Sequence, residues 1–198
     1  LTVIADGRLC DRGVDAITLS DTATLEEAAA LFWAAPYAPR ATIAPAADGP
    51  LKARLFLALA ARAGTDPHAR GRAPGVLAVD AATVLETLVD AATGETGTGP
   101  IHERLGKAWG LDSDGADLIR RALVLLMDPL PQIIANVDYA IAAMMQRFAL
   151  PADVAFTLFA IGRCIGWLGH AMEQIETGTL IRPRARYGGP MPDTARTA

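Results

Sequence analysis

The sequence predicts an all-α domain with one small β-hairpin at its N-terminus. Alanine is very common in this chain of 198 residues, hydrophobic residues make up 52% and aromatic residues only 6%. Ala, Leu, Arg and Glu together favour helices. Apolar residues recur at helical spacing in most segments, and stretches rich in proline and glycine separate those segments. We therefore expect six or seven helices in succession.

A hairpin and a capped helix open the chain. Asp6-Gly7, a pair typical of two-residue turns, lies between two short β-type runs. The first helix begins at Thr24, which can form a capping box with Glu27, and it ends before Pro36.

Four helices are predicted in the middle of the chain. A connector rich in proline and alanine precedes them, and Gly64 closes the first of them. Asp112 or Asp114 can cap the last, which runs to Met127. The three earlier helices of this group are predicted over residues 51–63, 76–93 and 101–109.

The longest helix is predicted over residues 151–177, after a shorter one over 136–148. Pro151 suits a first helical turn, and Gly178 can take the left-handed conformation that ends a helix. Most of this long helix is apolar on every side, and such a helix is usually buried.

Arg163 lies in the centre of this apolar helix. At 100° per residue, it shares one narrow stripe with His170, Gln174 and Thr177. A buried guanidinium needs an anionic partner, because an unpaired buried charge costs much free energy. That partner is either a carboxylate of the protein, such as Glu173, or a carboxylate of a ligand.

Three glycines flank this stripe. Each of Gly162, Gly166 and Gly169 costs about 1 kcal/mol of helix stability relative to alanine. We therefore expect another backbone or a ligand to approach the helix closely at these positions.

The charge and the cysteines argue against several classes of protein. The formal net charge of −4 gives no reason to expect nucleic acid, and the cluster Arg182, Arg184 and Arg186 is too short for a polybasic tail. Cys10 and Cys164 alone make neither a disulfide framework nor a zinc site, so a reducing cytoplasm fits best. The charges of the apolar helix argue against a membrane span.

Several motifs, in order, resemble the citrate synthase family. GRCIGWLGHAMEQ followed by IRPRARYGGP resembles the closing signature of that family, and NVDYA resembles its Asn-Val-Asp motif. The opening TVIADGRLCDRGVDA and TLEEAAALFW resemble its first hairpin and helix. The stretch GPIHERLGKAWGLDSDGADLIRRALVLLMD resembles the approach to its oxaloacetate-binding region. The resemblance is most specific over residues 136–190, and it implies the large helical domain of the family.

The resemblance implies roles for three residues. Asp138 stands where the family has the base that takes a proton from the methyl group of acetyl-CoA. Arg163 stands where an arginine grips a carboxylate of oxaloacetate or citrate. Arg182 matches a second such arginine, which is supplied across a dimer interface. Arginine suits this task because its planar fork binds a carboxylate through two hydrogen bonds.

The chain departs from the family pattern in its histidines. His68, His102 and His170 are its three histidines, and none lies in either histidine motif of the family. The segment that should carry the substrate-binding histidine would follow Asp128, where Pro129 stands instead.

A central block, which includes most of the small domain, is therefore missing. The expected organisation is residues 1–128 as one part of the helical domain, 129–135 as a junction, and 136–198 as the part with the carboxylate-binding motifs. Two explanations are open: a true deletion in a degenerate relative, or a longer protein whose block is not in this sequence.

The resemblance implies an acyltransferase of the tricarboxylic acid cycle. It would condense acetyl-CoA, or a related acyl-CoA, with oxaloacetate to give citrate and CoA, as a homodimer without a permanently bound cofactor. The first alternative is a non-catalytic relative that binds di- or tricarboxylates as a sensor or regulator. The second alternative is a structural helical dimer without a ligand.

Overall fold

A computed structural model describes residues 1–42, 48–128 and 131–179 together with Gly189, and for residues 131–136 it describes the backbone alone. Within these residues a three-stranded antiparallel sheet precedes eight helices. The strands are β1 (Thr2–Ala5), β2 (Arg8–Asp11) and β3 (Val14–Asp15). The helices are α1 (Ala16–Thr22), α2 (Leu25–Trp33), α3 (Leu51–Ala63), α4 (Pro74–Thr93), α5 (Ile101–Ala108), α6 (Ser113–Leu126), α7 (Pro131–Arg147) and α8 (Ala152–Thr177). The predicted all-α class with a small N-terminal β element is confirmed.

The sheet contains the predicted hairpin and one further strand. Asp6 and Gly7 both have positive φ, as a tight two-residue turn between β1 and β2 requires. A second turn of the same kind at Arg12 and Gly13 adds β3, which the sequence analysis missed because Arg-Gly is a weaker turn signal than Asp-Gly. Helix α1 was missed as well, although Asp15 caps it by accepting a hydrogen bond from the Thr18 amide.

The caps of the helices follow local sequence rules. Thr24 and Glu27 form the predicted capping box of α2, which ends at Ala34 in the left-handed conformation. Asp112 caps α6 through the Gly115 amide. These bonds satisfy backbone groups that have no partner inside a helix.

Two helices begin earlier than the sequence predicted. Helix α4 begins at Pro74, and α7 begins at Pro131 rather than at Asn136. Proline at the first turn of a helix loses no hydrogen bond, so both residues start a helix rather than interrupt one. Of the predicted junction 129–135, the first two residues lie outside the described part of the chain.

Helix α8 lies at the centre of the domain, where it contacts α2, α3, α4, α6 and α7. Leu158 and Ile161 on α8 are fully buried, as are Leu123 on α6, Leu85 on α4 and Phe32 on α2. This central position explains why α8 is the longest apolar helix in the described part of the chain.

The expectation that α8 is buried on every side is wrong. Phe159 is 37% exposed and Trp167 is 53% exposed, and the two rings pack edge to face. Apolar composition shows what a helix can bury, but neighbouring helices decide how much of it they cover. By length and composition α8 could cross a membrane, yet half of its most apolar stretch is buried, as in a core helix of a globular domain.

Candidate functional site

Arg163 binds the end of α6 from the middle of α8. Its Nη1 donates a hydrogen bond of 2.7 Å to Asp128 Oδ1 and one of 3.0 Å to the carbonyl oxygen of Met127. The side chains of Arg163 and Asp128 are largely buried, with 21% and 14% of their surface exposed. The anionic partner that the sequence required is therefore a protein carboxylate, and it is Asp128 rather than Glu173.

The glycines of α8 allow this approach. A Cβ on Gly162 would lie 2.7 Å from the carbonyl oxygen of Leu123. A Cβ on Gly166 would overlap the carbonyl oxygen of Met127. A Cβ on Gly169 would lie 2.6 Å from the ring of Phe32. The predicted close approach is confirmed: the backbone of α6 meets two of the glycines, and an aromatic ring meets the third.

Asp128 accepts hydrogen bonds from several elements of the fold. Its Oδ2 accepts from Thr2 Oγ1 on β1 and lies 3.3 Å from His170 Nε2 on α8. Burial raises the pKa of Asp128, but the hydrogen bonds from Arg163, Thr2 and His170 outweigh burial and hold the pKa below its ordinary value. Asp128 is therefore an ionised carboxylate at the junction of the sheet, α6 and α8.

Asp11 is a second carboxylate beside this junction, and it is only 2% exposed. It accepts a 3.3 Å hydrogen bond from Thr2 Oγ1, the same hydroxyl that contacts Asp128. Burial and the negative charge of Asp128 raise the pKa of Asp11 to about 6. Two carboxylates thus share one hydroxyl, and within the described part of the chain only Asp128 has a cationic partner at hydrogen-bond distance.

His170 belongs to the same cluster, whereas the rest of the predicted stripe does not. His170 Nδ1 lies 3.0 Å from Glu173 Oε2, and its ring meets Phe32 edge to face. Gln174 donates to Thr179 Oγ1 just beyond the helix end, and Thr177 donates to the Gln174 carbonyl. The contacts of Gln174 and Thr177 lie at the C-terminal end of α8 and do not involve Arg163.

Of the three predicted site residues, the structure describes Asp138 and Arg163, and no hydrogen bond or salt bridge joins these two. Asp138 is exposed on α7, and its side chain makes no hydrogen bond or salt bridge with the residues that the structure describes. Arg182 lies outside the described residues. Of the two described residues, Arg163 lies in a polar cluster, where its partners are Asp128 and the Met127 carbonyl.

Three members of the cluster were not predicted from the sequence: Thr2, Asp11 and Asp128. Thr2 and Asp128 are 126 positions apart, and Asp128 is 35 positions from Arg163. The one local signal was the acidic residue directly after the apolar end of α6. No periodicity connects residues at such separations.

A second polar cluster lies between α4 and α5. Arg104 donates to Glu86 Oε2 at 2.6 Å and also contacts Asp90, while the hydroxyl of Tyr37 donates to Glu86 Oε1 at 2.8 Å. Burial and the charge of Glu86 raise the pKa of Tyr37, which therefore stays a hydrogen-bond donor. This cluster stabilises the packing of two helices.

The described residues offer no group of three His, Cys, Asp or Glu side chains that could hold a metal ion. Cys10 and Cys164 are free, and burial raises the pKa of the Cys164 thiol to about 12. That thiol stays protonated and is a poor nucleophile.

Comparisons with known proteins match the C-terminal part of the chain. Residues 116–184 match the model of the family "Citrate synthase, C-terminal domain". Citrate synthase of Haloferax volcanii is 44% identical over 54 residues, which are 27% of this chain and 14% of that protein. Citrate synthase 2 of Bacillus subtilis is 42% identical over 55 residues, 28% of this chain and 15% of that protein. 2-Methylcitrate synthase 2 of Corynebacterium glutamicum is 36% identical over 63 residues, which are 32% of this chain and 16% of that protein.

The matched part is short compared with these relatives, since the chain covers only 14 to 16% of their length. The segment 116–184 contains Asp128, Asp138, Arg163 and Arg182.

Proposed function

We propose that the chain is a citrate synthase-type acyltransferase, on the match of residues 116–184 to the C-terminal domain of citrate synthase. It would condense acetyl-CoA, or a related acyl-CoA, with oxaloacetate and release citrate and CoA. Asp138 would remove the methyl proton of the acyl-CoA, and the resulting carbon nucleophile would attack the ketone carbon of oxaloacetate. Water would then cleave the thioester.

The proposal rests on two nitrogens of the Arg163 guanidinium, Nε and Nη2. Both hydrogen bonds that Arg163 donates to described residues come from Nη1. Its Nε and Nη2 donate to none of the described residues. The Arg163 side chain is 21% exposed, so part of it is accessible to a ligand. Adjacent N–H groups of this kind form the fork that binds a carboxylate through two parallel hydrogen bonds.

The proposed partner of this chain is a second copy. Arg182 would complete the carboxylate site of the neighbouring subunit, which makes each site depend on dimer formation. The exposed rings of Phe159 and Trp167 are apolar surface that a partner could cover. The two free cysteines suit a reducing cytoplasm.

A carboxylate-binding relative without catalytic activity is the second candidate. The sequence lacks both histidine motifs of the family, and His170 is held by Asp128 and Glu173. Such a protein would keep the arginine and lose the condensation, and would serve as a sensor or regulator.

Release of CoA separates the two candidates. The natural protein is incubated with acetyl-CoA and oxaloacetate, and the new thiol is measured with a chromogenic disulfide. An Asp138→Asn variant should lose turnover by about 10²- to 10⁴-fold, as expected for removal of a general base, whereas Tyr139→Phe on the same exposed surface should keep it. Stabilisation by citrate without any CoA release would instead identify the non-catalytic binder.

A further inference from the structure

The arginine proposed to bind a substrate carboxylate already holds a carboxylate of its own chain. Asp128 Oδ1 lies 2.7 Å from Arg163 Nη1, and the pair is largely buried. Glu173 and Asp11 add further acidic groups around the pair. A di- or tricarboxylate approaching Arg163 therefore meets a positive charge that is already neutralised.

We infer that Asp128 is an internal anion that competes with an external carboxylate for Arg163. This inference rests on the proposed function, because it assigns a regulatory contact to the same arginine. In the free protein Asp128 occupies the guanidinium. In the bound protein the carboxylate of the ligand pairs with the guanidinium, and the hydrogen bond from Arg163 Nη1 to Asp128 weakens or breaks.

The surroundings allow Asp128 to give up this contact. Its second oxygen, Oδ2, accepts from Thr2 Oγ1 and lies 3.3 Å from His170 Nε2, so the carboxylate keeps partners after it leaves Nη1. Arg163 also keeps a partner, because the Met127 carbonyl accepts from the same Nη1 at 3.0 Å. Asp128 would keep two hydrogen-bond partners while the ligand supplies the charge that pairs with Arg163, and this reduces the cost of separating the buried pair.

An Asp128→Asn substitution tests the competition. The side-chain amide keeps the size of the carboxylate and an oxygen that can accept from Arg163, but it removes the negative charge. Citrate affinity, measured by calorimetry on the full chain, should rise about five- to tenfold, because a like charge that competes for Arg163 is lost. Asp21→Asn is the matched control: it removes the same charge from a half-exposed pair with Arg121, and the affinity should not change.

A second measurement does not depend on citrate. Phenylglyoxal modifies guanidinium groups, and peptide mapping reports the rate at Arg163. This rate should rise in Asp128→Asn without any ligand and stay at the wild-type value in Asp21→Asn. Unfolding of each variant is followed by circular dichroism, so that rates are compared between folded proteins.

The two readouts separate this inference from the proposed function. Faster modification of Arg163 together with tighter citrate binding supports both. Faster modification without citrate binding by either protein supports occupation of Arg163 by Asp128 and overturns the proposed function. An unchanged or slower modification rate overturns the inference, and so does citrate binding that is unchanged or weaker in Asp128→Asn.

Discussion

Gly166 on α8 lies directly beneath the Met127 carbonyl, which in turn accepts a hydrogen bond from Arg163. The missing side chain lets the end of α6 rest on α8, and this brings Asp128 within reach of the arginine. A glycine therefore determines where an ion pair forms, although it has no side chain to take part in that pair.

Replacing Gly166 by alanine should destabilise the protein despite the better helix propensity of alanine. The added methyl group would overlap the Met127 carbonyl, and overpacking of this kind costs about 1–3 kcal/mol. Urea unfolding measures the change. Gly75→Ala is the control, because Gly75 lies in α4 with no atom near the position of a Cβ. That variant should be neutral or slightly stabilised, and an equal loss in both variants would contradict the packing argument.

Asp11 should make the protein less stable as the pH rises through about 6. Its pKa in the folded state is about 6, above its ordinary value of 3.8, so the folded state binds the proton more tightly than the unfolded state. The stabilising effect of the proton is complete below pH 3.8 and is lost as the pH rises through 6.

An Asp11→Asn variant should therefore be more stable than the wild type at pH 8, by about 2–3 kcal/mol, and show little difference at pH 4. The amide keeps an oxygen that can accept from Thr2. Thermal unfolding at the two pH values checks this expectation. A difference of the same size at both pH values would show that ionisation of Asp11 is not the cause.

Arg104 should contribute strongly to stability because it is the cation of a buried cluster. Its side chain is 12% exposed, and those of Glu86 and Asp90 are 11% and 2% exposed. Arg104→Met would leave two carboxylates without their cation, at a cost of about 3–5 kcal/mol.

Lys107→Met on the same helix is the control for Arg104. Lys107 pairs with Glu95 at the surface, where their side chains are 78% and 67% exposed, and such a pair contributes at most about 1 kcal/mol. Denaturant midpoints of the two variants provide the comparison. Similar losses in both would mean that burial does not distinguish the two pairs.

Arg163 should be required for stabilisation by citrate. The wild type should show a higher melting temperature with rising citrate, and Arg163→Met should not. Arg147→Met is a matched control, because Arg147 lies at the end of α7 over the Phe148 ring. Differential scanning fluorimetry gives both curves. A citrate response that persists in Arg163→Met would show that citrate binds at a site other than Arg163.

Much of the helical framework could be predicted because its signals are local. The capping box of Thr24 and Glu27, the Asp112 cap and the left-handed Gly178 each join residues a few positions apart. Turn chemistry at Asp6-Gly7 is equally local. The errors occurred where the local signal was weak, as at the Arg12-Gly13 turn.

The candidate site could be predicted only in part. The sequence identified Arg163 as a buried cation in need of an anion, because charge and apolar surroundings are both visible in the sequence. It did not identify Asp128, which is 35 positions away. The family resemblance assigned Asp138 and Arg182, and those roles remain predictions.

The sequence by itself determined most of the helical segments, several of the caps at their ends, and that one central arginine needs a carboxylate. These properties depend on hydrogen bonds and side-chain spacing within a few turns of one helix. The tertiary structure decided which carboxylate this is, which side of α8 is covered, and that glycines bring α6 onto Arg163. Such contacts depend on the packing of helices that are distant in the chain, which local propensity does not specify.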